Sequence, residues 1–190
     1  KSRKESFSRI KPKHVSVLPG NSGGVEAILK TLPGVSSANE LSSQYSVRGG
    51  NFDENLVYVN GIEVYRPFLI RSGQQEGLSF VNTDMVSSIK FSAGGFEAKY
   101  GDKMSSVLDI TYKRPRENAA SLQLSMLGGS AHFEGTNKNK RLSYLVGARH
   151  KTNQYVLNAM DTKADYIPKF SDLQTFINYD LNTNWQISFL

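Results

Sequence analysis

The sequence predicts an α+β domain, a short mixed sheet with one or two short helices, followed by a run of antiparallel strands. Three observations carry that prediction. Nine Tyr, ten Phe and 16 Gly in 190 residues favour strands and tight turns over helix bundles. Helical periodicity is confined to one short stretch near residue 25. From about Ala120 onward the chain alternates apolar and polar residues with a period of two.

Residues 1–19 read as a linker. Pro12 and Pro19 flank Val15–Leu18 (VSVL), an apolar run that could add one edge strand. After Gly20-Asn-Ser-Gly-Gly, the residues Val25, Ile28, Leu29 and Leu32 fall at i, i+3, i+4 and i+7, one face of a short helix. Ser22 is its candidate cap, and Pro33-Gly34 is its stop. Short strands follow. SVRG and LVYVNGIEVY surround Asn60-Gly61, a type I′ hairpin signal. A looser stretch, RPFLIRSGQQEGLSFVN, precedes MVSSIKFSAGG, FEAKYGD and SSVLDITYKRP, and Pro115 closes the domain.

Beyond it, SLQLSML puts Leu122, Leu124 and Met126 on one face. RLSYLVGARH puts Leu142, Tyr144, Val146 and Ala148 opposite Ser143, Gly147 and Arg149. DLQTFINYDL and WQISFL continue the pattern through Leu173, Ile177, Tyr179, Trp185, Ile187 and Phe189. The intervening turns, TNKNK (136–140) and NTN (182–184), are short and polar. Such alternation puts one face in an apolar and one in a polar medium. A soluble antiparallel sheet satisfies it, and so does a transmembrane barrel with lipid outside and a wet lumen inside. Tyr179 and Trp185 beside NTN match an interfacial aromatic girdle, and the Asn, Gln, Asp and Arg of the other face match a wet interior, so the barrel is favoured.

Composition narrows the function. The net charge is +6, but the first 14 residues carry +5 of it and the remainder +1. The charge is a tail, not a basic stripe interleaved with aromatics, so no nucleic-acid partner is expected. No apolar run approaches the ~18 residues of a membrane helix, and no apolar leader follows Lys1. With no cysteine, disulfides, thiolate zinc sites and thiol catalysis are excluded.

Catalytic constellations are missing as well. Gly20-Asn-Ser-Gly-Gly has only His14 before it as a triad partner, and it lacks phosphate-loop spacing. His14, His132 and His150 are scattered without metal-ligand spacing. Asp53-Glu54 does not fit a calcium loop, and on a continuing strand the pair would diverge to opposite faces. No enzyme, cofactor or metal site is expected.

The stretch SVRGGNFDENLVYVNGIEVY, followed by VSSIKFSAGGFEAKYGDKMSSVLDITYKRP, resembles the plug domain of TonB-dependent outer-membrane receptors. The wording LPGV, YSVRGGN, DENLVYVNG and GGFEAKYGD is similar to the Bacteroidetes branch of that family, from about Val15 to Arg114. Asn60 replaces the usual Asp of the turn, which Asn-Gly serves equally well. The resemblance implies a linker over 1–19, a plug over 20–115, and the first five or so strands of a transmembrane β-barrel over 116–190. It places the protein in the bacterial outer membrane with a periplasmic N-terminus. Strands would run over about 120–127, 131–135 and 141–151, with Gly128-Gly129 as a tight outer turn and residues 152–171 as an outer loop. Five strands cannot close a barrel of about 22, so the chain is expected to be part of a longer protein. No TonB box is evident in residues 1–14; one would lie upstream, so the chain either lacks it or starts after it.

The resemblance further implies a gate for energised uptake of a scarce siderophore, haem, cobalamin, glycan or peptide. Its partners would be an inner-membrane TonB-type energising protein, outer-membrane lipid, the ligand, and in some systems a surface lipoprotein. Residues expected at ligand-facing plug apices are Arg48, Phe52, Tyr65, Arg66, Pro67, Phe68 and Asn82, with Arg48 either a ligand contact or an anchor of plug to barrel. Two other readings compete. One is a plugged-barrel subunit of a surface nutrient-binding or secretion assembly with a mainly structural role, and the other is a soluble β-rich binding module.

Overall fold

The computed structural model describes residues 8–10, 24–37, 44–65, 67–71, 74–95, 97–101, 104–125, 128–152 and 169–190. The chain divides into two units, residues 1–112 and 113–190.

The first unit is built on a five-stranded mixed sheet. Its strands are β1 (Ser8–Ile10), β4 (Asn55–Val59), β5 (Ile62–Glu63), β8 (Val86–Ser92) and β9 (Ser106–Tyr112), in the order β1-β8-β9-β4-β5. β4 and β9 pair in parallel, and the other pairs are antiparallel. Two small ladders accompany it, β2 (Val35–Ser36) with β3 (Ser46–Val47), and β6 (Phe68–Arg71) with β7 (Gln74–Ser79). The central strands β4 and β9 are buried almost continuously, as strands covered on both faces are. Leu56, Tyr58, Val107 and Tyr100 cluster on one face, where Tyr58 and Tyr100 meet edge to face at 5.4 Å. Val57, Val59, Leu108 and Ile110 are buried on the other.

The linker's expected edge strand at Val15–Leu18 lies outside the described residues. The edge strand observed is β1, whose register Ser8↔Phe91 to Ile10↔Ile89 places it beside β8. The helix α1 (Val25–Leu29) is one turn shorter than its periodicity implies. Val25, Ile28 and Leu29 are buried as expected, and Glu26 is buried with them. The expected cap Ser22 is outside the described residues, and Gly24 occupies the N-cap position. The Asn60-Gly61 hairpin is as expected: both residues have positive φ, 51° and 80°, which the type I′ turn requires.

The second unit is one antiparallel sheet in sequential order: β10 (Ala119–Ser125), β11 (Gly128–Thr136), β12 (Leu142–Thr152), β13 (Lys169–Asp180) and β14 (Gln186–Phe189). The register places Leu142 opposite Tyr179, Tyr144 opposite Ile177, and Ile187 opposite Tyr179. One face therefore carries Phe133, Tyr144, Leu173, Ile177, Tyr179, Leu181, Trp185, Ile187 and Phe189, all exposed. The other carries His132, Ser143, Leu145, Arg149, Phe176 and Asn178, all buried. Leu173 to Leu181 spans ~26 Å at ~3.3 Å per residue, or ~20 Å of membrane height at a tilt of ~40°, close to the apolar band of a barrel.

One expectation fails in detail. Gly128 and Gly129 are not the outer turn but the first residues of β11, paired with Lys151 and His150. A Cβ on Gly128 would lie 2.0 Å from the His150 carbonyl oxygen, so glycine is needed there for close approach to β12.

Candidate functional site

The first unit has two ends, fixed by register. β4 and β9 both start at one end, where β8 finishes: Asn55 pairs with Ser106, and Ser92 with Val107. At the opposite end lie the Asn60-Gly61 turn, Tyr112 and the start of β8. The end where β4 starts is rich in signature residues and is the candidate site.

Arg48 sits there in the turn after β3, exposed, with a positive φ of 51°. Its backbone N–H donates to the Gly34 carbonyl at 2.8 Å. Its side chain lies over two glycines: a Cβ on Gly34 would be 3.6 Å from Arg48 Cγ, and one on Gly94 would be 3.4 Å from Arg48 Nη1. Three glycine-bearing motifs far apart in sequence, LPGV, VRGG and SAGG, thus converge on one arginine. Ser92 Oγ donates to the Gly94 carbonyl at 2.9 Å, and Ser46 Oγ donates to the Gly50 carbonyl, bracing the turns on either side.

Asp53 and Glu54 are not on a strand but in the 3-10 turn Phe52–Glu54. Glu54 Oε2 accepts from Ser105 Oγ at 2.6 Å, across 51 residues of sequence. Gly50 packs beneath this bond; a Cβ there would lie 2.0 Å from Ser105 Oγ and 3.0 Å from Ser105 Cβ. Gly50→Val is therefore expected to destabilise the unit by about 1–3 kcal/mol through overpacking. Denaturant unfolding of the purified protein checks this, and a loss below ~0.5 kcal/mol would show that the turn yields freely.

Behind the turn, Asn55 Nδ2 donates to the Tyr45 carbonyl at 2.9 Å, and Ser106 Oγ donates to Asn55 Oδ1 at 2.7 Å. Burial, with the Glu26 carboxylate adding to it, pushes the Tyr45 hydroxyl well above the usual tyrosine range, so it stays protonated. Tyr100 is also raised, first by burial and then by the bond its hydroxyl donates to Asp109 Oδ2 at 2.7 Å. Lys99 stands 4.7 Å over the Tyr100 ring and pairs with Glu97 at 2.9 Å. These are positioning contacts. Among the described residues, no three acidic or histidine side chains gather as a metal site.

The remaining expected apex residues separate. Phe52 (43% exposed) opens the 3-10 turn four residues after Arg48, just before β4, and Tyr65 (84% exposed) follows Val64, whose N–H returns to the Val57 carbonyl. Pro67 is buried, Phe68 opens β6, and Arg66 lies outside the described residues. Asn82 is 2% exposed and lies four residues before β8, whose first residue, Val86, is at the far end of the sheet. Its Oδ1 accepts from the Asp84 N–H at 3.1 Å, capping a 3-10 turn. Five strand residues, ~17 Å, separate that end from Arg48.

In the second unit the buried face holds a polar network. Arg149 makes a two-point pair with Asp172, Nε to Oδ1 at 2.9 Å and Nη2 to Oδ2 at 2.7 Å. Gln174 Nε2 donates to Asp172 Oδ2 at 2.6 Å. Glu134 lies 3.5 Å from His132 and 3.4 Å from Lys113, and Asn178 Oδ1 accepts from Gln186 and Ser188.

The TonB-dependent receptor plug domain profile matches residues 6–107, more than half of the chain. The chain belongs to the TonB-dependent receptor plug family. It is accordingly an outer-membrane protein, a plug followed by antiparallel strands of an incomplete barrel. Solved structures agree in fold. The siderophore receptor PirA from Pseudomonas aeruginosa superposes with a TM-score of 0.63 at 19% identity, over 96% of this chain and 34% of that one. The PirA of Acinetobacter baumannii gives 0.66 at 17%, over 94% and 30%. The outer membrane transporter YddB from Escherichia coli gives 0.62 at 11%, over 94% and 31%. The chain thus spans about a third of the length of these proteins. No curated protein matches it.

Proposed function

We propose that the chain is the gate and barrel entry of a receptor for energised uptake of a scarce ligand across the outer membrane. The plug-family match followed by a sheet with an apolar exposed face and a polar buried face carries this reading. An energising protein of the inner membrane is the expected partner, acting on the plug's N-terminal side, and the plug does no bond chemistry. By its motif wording, LPGV, YSVRGGN, DENLVYVNG and GGFEAKYGD, we read the chain as a member of the Bacteroidetes branch.

For the ligand, an anionic metal chelate is favoured. Arg48 offers planar, charge-assisted hydrogen bonds, and Phe52, four residues on, adds exposed aromatic surface. The siderophore receptors among the similar structures make ferric siderophores the first compounds to try. Arg48→Ala in the full-length receptor is expected to weaken ferric-siderophore binding roughly 10–100-fold, the loss of one hydrogen bond to a charged group, while the pore stays closed. Fluorescence titration together with an antibiotic-leakage assay checks both. Unchanged affinity with increased leakage would make Arg48 an anchor of the plug instead.

A further inference from the structure

At the short-turn end of the second unit, cationic side chains gather around two adjoining cavities. One, of about 480 Å³, is lined by Arg114, Lys140, Arg141, the Asn182–Asn184 turn and Trp185. The other, of about 410 Å³, is lined by Arg114, Pro115, Arg116 and Lys140. Both volumes suit a small polar ligand. Among the described residues the single acid on either wall, Asp180, is paired with Arg114, which leaves Arg116, Lys140 and Arg141 there as excess positive charge.

The turns that present these groups are pinned. Asn137 Oδ1 accepts from the Arg141 and Leu142 N–H groups at 2.9 and 3.2 Å, and Lys140 holds a positive φ of 54°. Asn182 Oδ1 accepts from the Asn184 and Trp185 N–H groups, both at 2.9 Å. The Asp180 N–H donates to the Arg141 carbonyl at 2.8 Å, joining the two turns. The cavity also opens onto the apolar face. Trp185, 69% exposed, forms part of its wall and continues into the row Leu181, Tyr179 and Ile187. A basic pocket directly beside an aromatic and aliphatic strip matches an amphiphile with an anionic head and hydrocarbon tails.

We propose that this rim binds the phosphate headgroup of an anionic glycerophospholipid in the leaflet at the short-turn end, with the acyl chains lying along the Trp185–Ile187 strip. The guanidinium groups of Arg116 and Arg141 would hold the phosphate oxygens and Lys140 would supply a point charge. This rests on the membrane-spanning reading of the second unit, and the test separates the two. Full-length receptor is placed in nanodiscs of phosphatidylglycerol mixed with phosphatidylcholine, and retained lipid is read by native mass spectrometry, for the natural protein and for Arg116→Gln/Lys140→Gln. Neither of those side chains has an ion pair among the described residues. Preferential retention of phosphatidylglycerol, weakened roughly thirtyfold in the double variant, supports the site. Equal retention of both lipids, or retention unchanged in the variant, overturns it. So does inorganic phosphate binding to detergent-solubilised protein as tightly as the lipid, which would make the rim a free-anion site. Failure of the natural protein to enter nanodiscs at all would overturn the membrane reading as well.

Discussion

Replacing Arg149 by methionine should cost the barrel strands about 3–5 kcal/mol, because it strands the Asp172 carboxylate in a buried setting. The two side chains are 7% and 14% exposed, far from the solvent that makes most ion pairs nearly neutral in worth. Both guanidinium contacts are made in register, since Arg149 faces Asp172 directly across the β12–β13 ladder. Among the described residues, the 2.6 Å bond from Gln174 would remain on the carboxylate. The Arg149→Met/Asp172→Leu double variant should recover most of the loss, since it removes the uncompensated charge. Denaturant unfolding of the full-length protein refolded into lipid reads both. A single-variant loss below ~1 kcal/mol would show that water reaches the pair.

Ile177→Arg is expected to cost about 2–4 kcal/mol in the same assay, and Tyr179→Arg, two residues nearer the turn, about 0–1 kcal/mol. Ile177 is the centre of the exposed row from Leu173 to Leu181. A charge there meets the middle of the hydrocarbon, whereas one at Tyr179 reaches the interface. Similar small costs at both positions would fit a sheet with water on its exposed face.

Much of this was legible in the sequence because strand periodicity is local. In β12 and β13 the alternation set every face correctly, from Ser143 to Arg149 and from Leu173 to Tyr179. The Asn60-Gly61 turn was legible for the same reason, as its φ requirement is written in two adjacent residues. Features that depend on contacts between distant residues were not legible. Gly128 reads as a turn residue until the His150 carbonyl is seen against it. Glu54 gains its role from Ser105, and Arg48 from Gly34 and Gly94; no spacing rule joins them. Asn82 reads as one more polar loop residue, and only the structure shows it buried, with its Oδ1 on the Asp84 N–H. The helix ended early because its last turn tightens: the Thr31 and Leu32 N–H groups bond to Ile28 and Leu29, three residues back.

Energised uptake is tested most directly by following labelled ferric siderophore into iron-starved cells that carry the full-length receptor, with and without a protonophore. The gate reading predicts that surface binding survives the protonophore while accumulation stops. Accumulation continuing at the same rate, or binding with no accumulation in either condition, would contradict it and favour the mainly structural subunit.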